Sequence, residues 1–598
     1  MSPSRLRAFG VLVRLPLRDE PWRALVGVPL QFLSQVAVVA LAVALKGIVD
    51  DLAAGHVGAA GRTAVILAVG TLLTRAAGYA SWVIRMGMVE RTTLVAQIEL
   101  AELTASITTI DHLEDPEQLD RMELLRQDHR SLALLPDLIA VAASTLLRLV
   151  ATAIVLARIH PALLALAPFA GPSVYATWRS QRRRADAHER VAPEWRRQFA
   201  MTGLASREAG GREVRVFGGS AGLQARFERS LTYCNGEVSR AGVRSAAEQT
   251  VAWALFGAAF AGGLVVVARR AATGGASAGD LVLAITLGSQ LTEQLSGLVS
   301  MVSGLASQLR TAERYAWLRE RAASIRRREE DGGRQPVPLS LTDGIRLEGV
   351  SFRYPGQEVD ALRGVDLHLP TGTTVAIVGE NGAGKTTLVK LLTRMYDPTA
   401  GSILVDGVPL RDFEASEWRS RVSAAFQDHA HFELTAQHVV GTGVLSSLDD
   451  GDAVLDALDA ARASDVLDSL PEGLSTQLGR QFDDGTELSG GQWQKLAVAR
   501  GMMRADPLLL VLDEPTAALD ADTEAALFER YARAARRTRS TTGGITVIVS
   551  HRFSTVRMAD LILVIDAGTV AEAGSHGELM ERGGLYAELY ELQSRAYR

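Results

Sequence analysis

One cysteine, Cys234, stands in 598 residues. A lone thiol excludes an intramolecular disulfide framework and any metal site built from several cysteines. It reads as an inert thiol on a helix. A basic excess is also missing. Lys and Arg number 63 against 68 Asp and Glu, for a net charge of -5, which argues against a nucleic-acid binder. No secretory signal peptide is evident, because the first apolar run is too long and ends in Lys46, not in a small-residue cleavage site. No organelle presequence is evident either.

What is present falls into two halves. The length is too great for one domain. With 47% hydrophobic and 22% charged residues and a mean hydropathy of +0.11, the chain is too apolar for an ordinary soluble protein. It is too polar for a pure membrane protein. Long apolar runs broken by Arg-rich segments fill the chain up to about residue 305, and a soluble α/β pattern begins near 345.

A helix needs about 20 apolar residues to cross a bilayer. Six spans are expected, near Ala24–Ile48, Thr63–Ile84, Leu132–Leu156, Ala162–Trp178, Val251–Ala268 and Leu281–Val302. The fourth and fifth are the shortest as pure apolar runs. Arg5, Arg7, Arg14 and Arg18 before the first span put the N-terminus in the cytoplasm, and Arg179, Arg182, Arg183 and Arg184 after the fourth agree. So do Arg310 and Arg314 after the sixth and Asp50 and Asp51 outside the first. Arg269 and Arg270 are the exception. The external links are short. The two cytoplasmic links are long and helix-like, turning near residues 110–117 and 213–220, as if the spans ran on into the cytosol and could dock on a soluble domain. Arg75 and Arg148 sit well inside their spans, where a charge costs about 2.5–3.5 kcal/mol. They either meet a polar or anionic cargo or pair with a carboxylate such as Glu293. Lys46 and Arg85 lie near span ends, where they could snorkel.

Residues 323–344, with Arg326–Arg328, Gly332-Gly333, Pro336 and Pro338, read as a linker. Then Ile345–Phe352 reads as a strand and Thr374–Val378 as a buried one. The second runs into Gly379-Glu380-Asn381-Gly382-Ala383-Gly384-Lys385-Thr386. A strand before and a helix after is the setting in which G-x-x-x-x-G-K-[ST] wraps phosphates. The glycines let the backbone approach, Lys385 neutralises β- and γ-phosphates, and Thr386 holds Mg2+. Downstream, the apolar strand Leu508–Leu512 delivers Asp513, placed to hold magnesium through water, and Glu514, placed as general base for an attacking water. Between them lies a second Gly-rich turn opening a helix, Leu488-Ser489-Gly490-Gly491-Gln492. Free N–H groups and a positive helix end suit an anion there too. One nucleotide needs one cradle, yet this chain carries two.

These motifs, in this order, resemble an ABC exporter half-transporter of the type IV fold: an all-α six-helix transmembrane domain (1–322) followed by an α/β P-loop ATPase domain (345–598). The resemblance covers nearly the whole chain. It implies roles for further residues. Tyr354 resembles the aromatic that stacks on adenine, and the loop through Thr387 the phosphate site. Gln427 resembles the Q-loop glutamine that contacts magnesium, Ser489, Gly490, Gly491 and Gln492 the signature motif, and Ala517–Asp520 the D-loop. His551 resembles the switch histidine at the γ-phosphate. The stretch Phe482–Glu487 departs from the usual glycine-glutamate-rich form.

In that family the signature of one copy closes over nucleotide held by another, so the resemblance implies a pair, a homodimer or a dimer with a related half-transporter. ATP and Mg2+ are the expected ligands, with no nucleic-acid partner. The expected activity is ATP-driven export of a small molecule, lipid or peptide across a bilayer by alternating access. The alternatives are an ATP-gated channel or regulatory protein, and an exporter-fold importer. Intact Glu514 and His551 favour a pump. No extra N-terminal domain supports uptake, and the N-terminal region is too short for a cargo-cleaving peptidase. The Ala-, Gly- and Arg-rich composition points to a bacterial inner membrane, with the ATPase domain in the cytoplasm.

Overall fold

The computed structural model describes residues 10, 20–206, 208–331, 335–513, 521–550 and 556–596, with side chains 521–531 and a few within helices left out. Glu514, Asp520 and His551 lie outside the described residues, as do the arginines before the first span. The chain divides into two compact units. The first holds Met1–Glu102 and Met122–Leu318, the second Leu103–Arg121 and Arg319–Arg598.

The chain up to Asp331 is helical: α1 (Pro21–Ala53), α2 (Val57–Ala105), α3 (Asp111–Glu114), α4 (Pro116–Ile159), α5 (Leu166–Ser206), α6 (Glu208–Val216), α7 (Ser220–Ala272) and α8 (Ala278–Asp331), most of it in the first unit. The ends of α2 and α8, the start of α4 and all of α3 belong to the second unit. The helices do run past the apolar spans before turning. Pro116 starts α4 where its missing N–H costs nothing, and the Asp115 carboxylate accepts from the Glu117 N–H at 2.9 Å.

Among the described residues, four helical stretches are long and apolar enough to cross a membrane: Pro21–Ala53, Val57–Ala105, Asp128–Ile159 and Ser220–Ala272. The fifth expected span therefore qualifies, while the fourth and sixth do not. Part of the fourth run is spent in a 3-10 turn, Pro161–Ala165, and the sixth is diluted by Gln290, Thr292, Glu293 and Gln294. The apolar runs bury little of themselves within the chain: on α2, Ile66 is 65% and Leu72 70% exposed. Side chains left that open suit lipid or a second copy.

Three of the charges singled out in the spans find partners. Arg85 is buried, not snorkelling. It pairs with Asp137 on α4, donates to Ser81 at 3.2 Å and reaches Gln31 on α1 at 3.3 Å. Lys46 bonds Asp50 at 2.7 Å and Asp280 at 3.0 Å, tying α1 to the start of α8. Arg148 donates to Gln35 at 3.0 Å, with the Gln294 amide within reach. Its hydrogen bonds thus go to amides. Arg75 is exposed.

Two sheets form the second unit. Strands β1 (Gly344–Phe352), β2 (Leu362–Pro370), β4 (Ala400–Val405) and β5 (Val408–Pro409) make an antiparallel sheet in the order β2-β1-β4-β5. The other sheet contains β3 (Thr374–Val378), β6 (Val422–Ala425), β7 (Leu509–Asp513), β8 (Ile545–Val549), β9 (Leu561–Asp566) and β10 (Thr569–Gly574), in the order β10-β9-β3-β8-β7-β6. Strands β6, β7, β8, β3 and β9 run parallel. Their near-continuous Val, Ile and Leu runs suit a sheet covered on both faces. Residues 323–331, read as linker, continue α8 to Asp331, because no helix breaker occurs until Gly332.

Within the second unit, the turn in Leu103–Arg121 packs on the residues around α8's end and the sheet core. Ile110 lies against the core formed by Leu388, Leu391, Phe413 and Trp418. The Ile110 N–H donates to the Met395 carbonyl at 3.2 Å. Arg419 donates to the carbonyls of Thr108 and Arg394, and Arg321 pairs with Asp111.

Candidate functional site

The parallel sheet gathers the expected site at one edge. Ligands bind outside the carboxyl ends of such strands. Strand β3 ends at Val378 and delivers Gly379. Strand β8 lies beside it, with Ile377 opposite Val549, and β7 follows with Asp513 opposite Val549. Strand β6 comes next, with Ala425 opposite Leu512, so Gln427 emerges at the same edge. Strands spaced about 4.8 Å apart put Asp513 roughly 10 Å from the Gly379 strand line. That gap takes a phosphate chain and a hydrated cation. Asp513 is buried at its strand end, while Gln427 and Thr386 are exposed.

The loop needs its glycines for different reasons. Gly379 has φ +149°, and a Cβ there would lie 2.1 Å from the Ile565 carbonyl oxygen. Gly384 has φ +112° and caps the helix α9 (Lys385–Leu392). Gly382, at φ +83°, has nothing within 4 Å of its Cβ position, so the loop crest is open to a ligand. Lys385 is buried, and its ammonium donates to the carbonyls of Gly379 and Glu380 at 2.9 and 2.8 Å, folded across its own loop. Gly379→Ala is expected to abolish nucleotide binding, because the clash is with backbone and the φ favours glycine. A fluorescent ATP analogue titrated into the purified variant measures it.

Tyr354 follows β1. Its ring meets Phe352 edge-on at 4.9 Å and Tyr396 at 5.6 Å, and its hydroxyl lies 3.0 Å from the Thr387 hydroxyl. Thr387, on the first turn of α9, thereby ties the tyrosine to the phosphate loop.

The second cradle opens helix α10 (Gly490–Met502). Ser489 caps it and accepts from the Gln492 N–H at 3.3 Å, while the Gln492 side chain accepts from the Ser489 N–H at 2.9 Å. Such a box contributes about 1 kcal/mol to the helix end. Ser489 is exposed, and Cβ positions at Gly490 and Gly491 meet nothing within 4 Å. Trp493, Leu496 and Val498 root α10 in a core separate from the one beneath the phosphate loop.

One set of contacts was not legible as motifs. The segment after Gln427 leans on α10: His431 stacks on Trp493 at 4.6 Å, and the Arg500 guanidinium lies 4.3 Å from the Phe432 ring centre. Arg500 donates from Nε to the Val439 carbonyl at 2.9 Å, and burial pulls its pKa down to about 10. The double histidine of Asp428–Phe432 was the available signal.

The chain resembles known proteins in sequence and in fold. Residues 362–517 match the family described as ABC transporter. An ATP-dependent lipid A-core flippase of Chromobacterium violaceum is 34% identical over 385 residues, 64% of this chain and 62% of that one. A flippase of the same name from Chromohalobacter salexigens is 34% identical over 394 residues, covering 66% and 65%. The one from Ralstonia nicotianae reaches 41% over 265 residues, covering 44% and 43%. The chain thus spans less than two thirds of the length of these curated relatives. A solved structure of a bacterial Atm1-family ABC exporter with ATP bound superposes with a TM-score of 0.72 at 25% identity, covering 96% of this chain and 98% of that one.

Proposed function

We propose that this chain is a member of the ABC transporter family, with the exporter-type fold of a helical membrane region fused to one ATPase domain, and that it is an ATP-driven exporter working as a pair of copies. The observation that carries this reading is the open signature end. Ser489, Gly490 and Gly491 cap a helix whose end has open space over its glycines, while the chain already holds a complete phosphate loop elsewhere.

In the proposed cycle Tyr354 stacks on adenine and the N–H groups of Gly379–Thr387 take the phosphates. Lys385 leaves the carbonyls of Gly379 and Glu380 for phosphate oxygens. Thr386, Gln427 and, through water, Asp513 would hold Mg2+, which would neutralise charge developing on the phosphates. Glu514 orients the attacking water, His551 steadies the γ-phosphate, and Asp520 spans the joint between copies. The signature of a second copy closes over the nucleotide. ATP acts by binding the closed pair better than the open one, the only way a ligand drives a conformational change.

Closure would pull on both cytoplasmic turns. The first packs on its own ATPase unit. The second leaves Val216 79% and Phe217 81% exposed, and we assign that apolar tip to the ATPase domain of the second copy. Six spans in a bacterial inner membrane, with the ATPase domain cytoplasmic, complete the reading.

Sealed vesicles with the ATPase domain outward test it. ATP-dependent accumulation of cargo against its gradient is expected. ATP-gated movement only downhill would favour the channel reading. Relatives named as lipid A-core flippases make lipids the first cargo class to try. If Arg148 reads an acidic head group, Arg148→Ala lowers lipid-stimulated ATPase several-fold. An unchanged response and selectivity would make Arg148 structural.

A further inference from the structure

We infer that Glu114, in the cytoplasmic turn between α2 and α4, is a positioning residue for Tyr354, acting through Lys390 and Tyr396. The inference rests on Tyr354 holding the adenine. Glu114 lies in the turn that forms part of the second unit, and both of its carboxylate oxygens are engaged there. Oε1 accepts from the Lys390 ammonium at 2.7 Å, and Oε2 accepts from the Tyr396 hydroxyl. Lys390 lies on α9, directly behind the phosphate loop. Its ammonium stands 5.2 Å from the Tyr354 ring centre and 5.9 Å from that of Tyr396. The two tyrosine rings meet edge to face, at 88°.

The electrostatics lock this arrangement. Burial, reinforced by the Glu114 carboxylate, pushes the Tyr396 hydroxyl far above its usual range, so it stays protonated and donates. Burial alone would lower the Lys390 pKa, but Glu114 and the Tyr354 hydroxyl together outweigh it and the shift is upward, so Lys390 stays charged. A charged Lys390 held by Glu114 is fixed against the tyrosine pair, where cation and ring attract. Without Glu114 the ammonium loses its anionic partner and keeps only Tyr354, and Tyr396 loses the acceptor that sets its rotamer. Both restraints on Tyr354 then relax.

The turn has other anchors, namely Ile110, the Arg419 contacts with Thr108 and Arg394, and Arg321 with Asp111. Removing the charge of Glu114 therefore leaves the turn docked. Where docking of the turn favours adenine on Tyr354, linkage requires that adenine favour the docked turn in return.

The test is steady-state ATPase kinetics of full-length protein in nanodiscs, with inorganic tripolyphosphate as a base-free competitor. Glu114→Gln is expected to raise KM for ATP about fivefold, with kcat within twofold and tripolyphosphate inhibition unchanged. Tyr396→Phe, which keeps the ring and removes the donor, gives the same pattern more weakly. In wild type, ATP slows hydrogen exchange across residues 108–116, and Lys390→Met removes that protection. Unchanged KM in both Glu114→Gln and Tyr396→Phe would overturn the inference, as would equal weakening of ATP and tripolyphosphate. Tyr354→Ala with an unaltered KM would instead bring down the adenine assignment beneath it, and the inference with it.

Discussion

Glu514→Gln is expected to cut ATP turnover by at least about a hundredfold while nucleotide binding survives, the size of effect that a positioned general base contributes. The amide keeps the size of the side chain and loses only its basicity. Nucleotide then remains uncleaved, and the closed pair accumulates. Phosphate-release kinetics measure the first effect, and native mass spectrometry with ATP and Mg2+ measures the second. Rapid turnover in Glu514→Gln would remove the residue from its proposed role. Glu514 follows Asp513, which ends an all-buried strand. The strand fixes where the glutamate starts, and the chemistry of the variant tests where it points.

A mixing experiment has the second large effect. Lys385→Ala disables the phosphate loop, and Gly491→Asp disables the signature. Each alone is expected to lose ATPase activity by more than about a hundredfold. Nothing lies within 4 Å of a Cβ at Gly491, so the aspartate leaves the fold of its own chain intact and repels phosphate only when a second copy closes. A mixed pair has one site with both defects and one with neither. With random pairing of equal amounts and independent sites, activity returns to roughly a quarter of wild type, since an isologous pair places each signature over the partner's loop. No recovery on mixing would mean that each chain completes its own site. Full ATPase activity of dilute single copies would say the same.

How much of this could be read from the chain depends on the range of the interactions. The strand Thr374–Val378, the loop at Gly379 and the strand ending at Asp513 are local signals. An apolar run, a turn that only glycine fits and a carboxylate at a strand end need nothing from distant residues. Strand boundaries accordingly fall on or within one residue of expectation. Span boundaries are weaker, because α5 and α8 mix polar groups into their apolar runs. For those two helices, composition does not separate a membrane face from a helix–helix face.

Arg85 and Lys46 show the same limit. Hydropathy placed both near the ends of spans. Whether they snorkel or pair depends on Asp137 and Asp280, far along the chain, and pairing prevails because a carboxylate within reach offsets the cost of leaving water. Glu114 is the sharpest instance. The sequence marks it as an acidic residue in a helix-like link, and nothing nearby predicts Lys390 or Tyr396 as its partners.

By itself the order of residues determined the local motifs: a glycine-rich loop after an apolar strand, adjacent acids after another, a second glycine-rich turn opening a helix, and long apolar runs. All of these follow from short stretches whose backbone geometry and polarity are set by their own side chains. Only the tertiary structure decided which charges neutralise one another and that a turn after α2 reaches the ring proposed for adenine, because those contacts are fixed by packing between segments from about fifty to nearly three hundred residues apart.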